Sequence, residues 1–115
     1  MALTMEWESV KERFKDLAKH PGLRPTVEKM QWLVGRLCED PRMDGVAPHV
    51  SLGSLSLKPV DSKRSVMIAW NENEPGGYKV SYVDPPLEIS ETTRAPEAAV
   101  ITVIMQYLDR LRANQ

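Results

Sequence analysis

The 115-residue chain has one cysteine, Cys38, so no disulfide can form within it, and a disulfide-stapled secreted scaffold is excluded. It has two histidines, His20 and His49, each beside a proline and neither at a metal-ligand spacing from Cys38, so no metal centre is expected. No apolar run approaches the roughly 20 residues that a membrane span needs. Glu6 and Glu8 interrupt the opening MALTMEWESV, which is unlike a signal peptide. Neither sign of charge dominates: fifteen Lys and Arg stand against sixteen Asp and Glu, whereas a nucleic-acid binder usually carries a basic excess or a basic face. A phosphate-binding P-loop, a G-x-G-x-x-G turn and a G-x-S-x-G nucleophile elbow are all missing, so no cofactor and no catalytic residue is assigned. These absences lead to the expectation of one cytoplasmic domain over residues 1–115, with no nucleic acid and no membrane as partner.

What is present is hydrophobic periodicity. Trp7, Val10, Phe14 and Leu17 recur at helical spacing, predicting a helix over Met5 to Lys19 that Thr4 caps and His20-Pro21-Gly22 ends. Val27, Met30, Leu33, Val34, Leu37 and Cys38 make a wide stripe on a second helix, Thr26 to Glu39, with Trp32 off its centre. From Val46 the period becomes two. Val50 and Leu52 share one phase and Leu55 and Leu57 the other, so a bulge or bend is expected at Gly53. Val66, Ile68 and Trp70 alternate next, then Tyr78, Val80 and Tyr82, then Leu87 and Ile89, with turn residues between the runs. A last helix is predicted from Pro96 to Arg112. Val100, Val103, Ile104, Tyr107, Leu108 and Leu111 form its stripe, and Ile101 and Met105 widen it beyond one face. The resulting fold class is α+β: a two-layer sandwich of two N-terminal helices, a three- or four-stranded antiparallel meander and a C-terminal helix.

The stretch AWNENEPGGYKVSY, residues 69–82, reads as a hairpin. With Trp70 opposite Tyr78, Ile68 meets Val80 and Val66 meets Tyr82 on one apolar face. Ser65, Met67, Ala69, Lys79, Ser81 and Val83 fall on the other. Glu72 and Glu74 then belong to the solvated tip, because catalytic carboxylates need a pocket that shifts at least one pKa. Cys38 sits on an apolar stripe, where a free thiol behaves as a small hydrophobe. On the first helix, Glu8, Glu12 and Asp16 each precede one of Lys11, Lys15 and Lys19 by three residues, which reads as a self-neutralised face.

Charge is uneven along the chain. Between residues 71 and 97, six acids (Glu72, Glu74, Asp84, Glu88, Glu91, Glu97) face two bases, Lys79 and Arg94. This suggests an acidic end of the sheet that meets a basic partner protein. Its partner-binding residues would be Glu72, Glu74, Asp84, Glu88 and Glu91, with Trp70 and Tyr78 as aromatic anchors. In size, mild acidity and helix-plus-meander layout the chain resembles the broad class of small bacterial immunity, antitoxin and inhibitor proteins. That likeness implies a non-enzymatic binder that occludes its partner, and it carries no individual residue over. The alternative is a self-assembling scaffold subunit, a homodimer through the over-wide apolar surface of the C-terminal helix.

Overall fold

A computed structural model describes residues 4–51, 53–71, 77–85 and 88–113, with side chains in the first helix from Glu6 onward. The capping role read for Thr4, and the readings that rest on Leu52, Glu72, Glu74, Pro75, Gly76, Pro86 and Leu87, lie outside this description.

The chain forms helix α1 (Thr4–Leu17), a single 3-10 turn at Pro21–Leu23 and helix α2 (Arg24–Cys38). Pro25 stands in the first turn of α2, where its missing N–H costs nothing. A second 3-10 turn, Pro41–Met43, is capped by Asp40, whose side chain accepts from the Arg42 N–H at 2.9 Å. Five strands follow: β1 (Val46–Ser51), β2 (Ser54–Pro59), β3 (Ser65–Trp70), β4 (Tyr78–Asp84) and β5 (Glu88–Ala95). Helix α3 (Val100–Ala113) closes the chain. The sheet is an antiparallel meander in sequence order, β1-β2-β3-β4-β5. The α+β layout read from the sequence is the observed one, with five strands in place of three or four.

The added strands have physical causes. Gly53 is not a bend inside one strand. Its φ of +87° lets a two-residue connection reverse the chain between Ser51 and Ser54, which pair with each other. Residues 88–95 form a strand that runs well past the Ile89 position at which the alternation read from the sequence stops. As an edge strand over which α3 gives only partial cover, β5 has almost no buried apolar positions, so it lacks the alternation that reveals its neighbours.

One core draws on every helix and on all five strands. Trp7, Val10 and Phe14 of α1, the stripe of α2 from Val27 to Leu37, and Val100, Ile104, Tyr107, Leu108 and Leu111 of α3 pack on one face of the sheet. That face supplies Val50, Leu55, Leu57, Val66, Ile68, Val80 and Tyr82. Met105 is also buried, and Ile101 and Val103 are half-buried, so the wide stripe of α3 is largely covered within the single chain.

Candidate functional site

The β3–β4 register pairs Trp70 with Tyr78, Ile68 with Val80 and Val66 with Tyr82, as the alternation implies. Because alternate side chains point to opposite faces, that register fixes what the uncovered face displays. The pairing carries one row across the whole sheet: His49 (β1), Ser56 (β2), Met67 (β3), Ser81 (β4) and Thr92 (β5). On one side of it lie Ser51, Ser54, Ala69, Lys79 and Arg94. On the other lie Ala47, Lys58, Ser65, Val83 and Ile89. This open face is made of short hydroxyl and alanine side chains, a central methionine, three cations and a histidine, with Val83 and Ile89 at its β4–β5 end. Among its described strand positions there is no Asp or Glu.

The face is well anchored. Ser81 is buried although it belongs to this side, flanked in register by Met67 and Thr92, and its hydroxyl shares a 2.9 Å hydrogen bond with that of Thr92. Lys58, His49, Thr92 and Arg94 are exposed, and Lys79 and Met67 are half-buried. Lys58 and Lys79 have no ion-pair partner among the described residues.

The acids of the same strands point the other way. Asp84, Glu88 and Glu91 share the phase of the helix-covered side, at its rim. Arg64, just before β3, binds the Asp84 carboxylate through Nε and donates from Nη2 to the Ser90 hydroxyl at 3.2 Å. Ser90 is the extra residue where the β4–β5 register shifts, so Arg64 ties that irregularity to β3 and β4. Glu91 accepts two hydrogen bonds from Arg110 of α3, at 3.0 and 3.2 Å, and this guanidinium holds its carboxyl below the usual carboxylate range. Both arginines lie over the Tyr82 ring, at 4.8 and 5.0 Å, and Tyr82 stacks on Tyr107 at 4.1 Å. The Tyr107 hydroxyl in turn meets Thr93 Oγ1 at 2.6 Å. This network joins α3 to the β5 edge. Two of its carboxylates are therefore spent on internal pairing, and only Glu88 among the three has no described partner.

The two aromatic anchors read from the sequence take different places. Tyr78 is 1% exposed, and its hydroxyl donates to the Lys29 carbonyl at 2.8 Å. Burial, with the nearby Glu97 carboxylate, pushes its phenol far above the ordinary tyrosine range. Trp70 is half-buried at the margin of the core, with its indole against Gly77. Glu72 and Glu74 lie outside the described residues, and of the other five Tyr78 is buried and cannot serve as an exposed anchor.

Clefts indent the described surface. One of ≈540 Å³ separates α2 from α3, with Trp32 and Ile101 as apolar walls and Glu39, Asp40 and Glu97 at its rim. Arg36 sits 5.6 Å over the Trp32 ring. Asp40 is held by Arg42 at 2.7 Å, which keeps its carboxyl below the usual range, and Glu97 lies 3.7 Å from Lys29. A second, ≈480 Å³, lies between α1 and β1 and includes Arg13 and His49. A third, ≈440 Å³, runs between β5 and α3 and is lined by members of the Tyr107–Arg110–Glu91 network. Cys38 is half-buried, its thiol donating to the Gly35 carbonyl at 3.4 Å, and the Cys38 and Glu8 side chains hold the Lys11 ammonium above its usual range. Among the described residues, no three His, Cys, Asp or Glu converge as metal ligands. No described helix is long and apolar enough to cross a membrane.

Counting charge along the chain missed the open face, because it sums residues that the strand period separates. Lys79 was visible on the other phase from Trp70 and Tyr78. Lys58 and Arg94 needed the β1–β2 hairpin and the full length of β5, of which the apolar pattern marked only the start at Ile89. No protein-family model matches the chain, and no curated protein or solved structure matches it either.

Proposed function

We propose that this protein acts by binding another protein, as a cytoplasmic immunity- or antitoxin-type inhibitor that covers the working surface of its partner and performs no chemistry itself. The observation that carries this reading is the open face of the sheet. It spans five strands, many of its side chains are short, and a core on the opposite side holds it in place. A broad, preformed surface suits a partner of similar rigidity, since little ordering cost is left for the moment of binding. The acidic rim, by contrast, is largely engaged within the chain, which moves the proposed surface from the end of the sheet to its face.

Ser56 lies in the central row, so Ser56→Trp places bulk in the middle of the face without touching the core. Affinity capture from the native host, with wild type and Ser56→Trp in parallel, tests the reading. A stoichiometric protein recovered by the wild type and lost with Ser56→Trp, at equal melting temperature, is the expected result. Equal recovery by both would move the binding surface elsewhere, and recovery of no stoichiometric protein would remove the reading.

A self-assembling subunit is the second reading. Its support is the β5 edge, where Ile89 is 53% exposed, together with the half-buried Ile101 and Val103 of α3. Light scattering at micromolar concentration decides it, since a strict monomer is incompatible with it.

A further inference from the structure

Resting on the proposal that the open face binds a protein, we infer that the partner is acidic where it docks. Its carboxylates would be spread over a surface, meeting Lys58 and Lys79 at opposite corners of the face, with an apolar group opposite Met67. This polarity is the reverse of what the charge balance of residues 71–97 suggests.

The spacing of the two lysines selects the ligand class. Lys58 is on β2, one step beyond the Leu57–Val66 pair, and Lys79 is on β4 opposite Ala69. Two strand spacings in one direction and about four residues in the other place their backbones roughly 15–17 Å apart. A single phosphate or a small carboxylic acid cannot bridge that distance, whereas carboxylates distributed over a folded surface can. Arg94 stands directly opposite Lys79 across β4–β5 and already has a partner within the chain, so the charge offered at that corner is that of Lys79. Ser56 lies between the corners and Ser54, Ser65 and Thr92 lie beside them, and these hydroxyls can donate or accept hydrogen bonds at close approach. Met67, at the centre, is an adaptable apolar contact. An apolar spot inside a polar and charged surround is the ordinary anatomy of a protein interface.

A nucleic acid fits this face less well. Single strands are held by aromatic rings on which bases stack, and the described positions of the open face include none. A second copy of the same face would set cations against cations.

Poly-L-glutamate serves as the acidic probe, titrated into the isotope-labelled full chain while amide shifts are followed by NMR. Shifts are expected at residues 56–58, 67, 79–81 and 92–94, and they should fade as ionic strength rises. The double variant Lys58→Glu, Lys79→Glu should weaken the affinity at least about tenfold, and Lys58→Arg, Lys79→Arg should retain it. Shifts confined to the helices, or unchanged affinity in the glutamate variant, would overturn the inference. Tighter binding of a 20-nucleotide single-stranded DNA at the same amides would overturn it in favour of phosphate.

Capture from the host separates this inference from the reading beneath it. Loss of the partner with Ser56→Trp and also with the double glutamate variant supports both. Loss with Ser56→Trp alone leaves a protein-binding face and removes the acidic partner. Loss with neither removes both.

Discussion

Met67 and Ile68 are neighbours in the chain and belong to opposite worlds in the fold. Ile68 is fully buried under the helices, between Leu55 and Val80, while Met67 is half-exposed between Ser56 and Ser81. The contrast extends over the whole sheet. On the covered face, Leu, Ile, Val and Tyr are chosen by burial, each fully buried large apolar side chain contributing about 1.5–3 kcal/mol. Stability therefore comes from that side. The other side bears little of this demand, yet it is not a random polar surface: among the described positions its charges are all cationic, and the carboxylates of the same strands have gone to the rim of the covered side. There Arg64 and Arg110 receive two of them. Packing explains the covered face of this sheet, and the proposed docking role is our account of the other.

The sharpest test of that division is the adjacent pair. Ile68→Ala should destabilise by about 2–5 kcal/mol, the usual cost of emptying a buried aliphatic site. Met67→Ala should cost less than about 1 kcal/mol, since a half-exposed site collapses into solvent and leaves no cavity. Denaturant unfolding of both variants measures this. Equal costs would mean that something covers the open face and that the two sides are not different in kind.

Most of the covered face was legible from the sequence, and most of the open face was not. The register of β3 against β4 follows from Val66, Ile68, Trp70, Tyr78, Val80 and Tyr82, because burial writes a period-two pattern that survives without any structure. The helices were visible for the same reason, with boundaries displaced by a few residues, as frayed and capped ends usually are. Beyond Ile89 the second edge was hidden because Glu91 and Thr93, which point toward α3, satisfy that position with an ion pair and a hydrogen bond rather than with apolar area. Its Thr-rich composition was the surviving clue to a strand. The charge split depended on that strand, so the site could not be read before the fold was complete.

The next effect lies where the covered face ends. Gly77 has φ +91°, and a Cβ built on it would stand 2.6 Å from Trp70 Nε1. Gly53 has φ +87° with nothing within 4 Å of such a Cβ. Both Ala variants incur backbone strain of about 1–3 kcal/mol, but only Gly77→Ala must also displace an indole. Its loss of stability should therefore be the larger, and the emission of Trp70 should shift with it, while Gly53→Ala leaves the tryptophan spectrum unchanged. Identical losses would show that the Trp70 contact has no energetic weight.

Tyr78 sharpens the comparison through pH. Its burial raises the phenol well above the ordinary value, so the folded chain keeps a proton that the unfolded chain releases near pH 10. The sign follows directly. The unfolded state binds fewer protons above that pH, so this part of the stability is intact below about pH 10 and is lost as the pH climbs toward the higher folded value. Tyr78→Phe removes the alkaline loss contributed by this residue. Near neutral pH it should cost about 0.5–1.5 kcal/mol for the hydrogen bond to the Lys29 carbonyl. Stability measured from pH 7 to 11 should thus fall less steeply in the variant. An unchanged slope would place the phenol in water rather than beneath the helices.

The smallest effects decide whether the charges of the two faces differ in role. Asp84→Asn breaks the pair with Arg64, which is only partly exposed and also holds Ser90, so a loss of roughly 0.2–1 kcal/mol is expected. Lys58→Gln and Lys79→Gln remove charges that no described carboxylate engages, and each should stay within about ±0.5 kcal/mol of wild type. The relation inverts for binding. The lysine variants should weaken capture of the partner and make what remains less sensitive to salt, because cations on a docking surface act mainly on encounter. Asp84→Asn should leave capture intact, since its carboxylate faces the opposite side of the sheet. If Lys58→Gln and Lys79→Gln lower the melting temperature as much as Asp84→Asn does, the open-face cations are part of the fold, and the case for an acidic partner loses its footing.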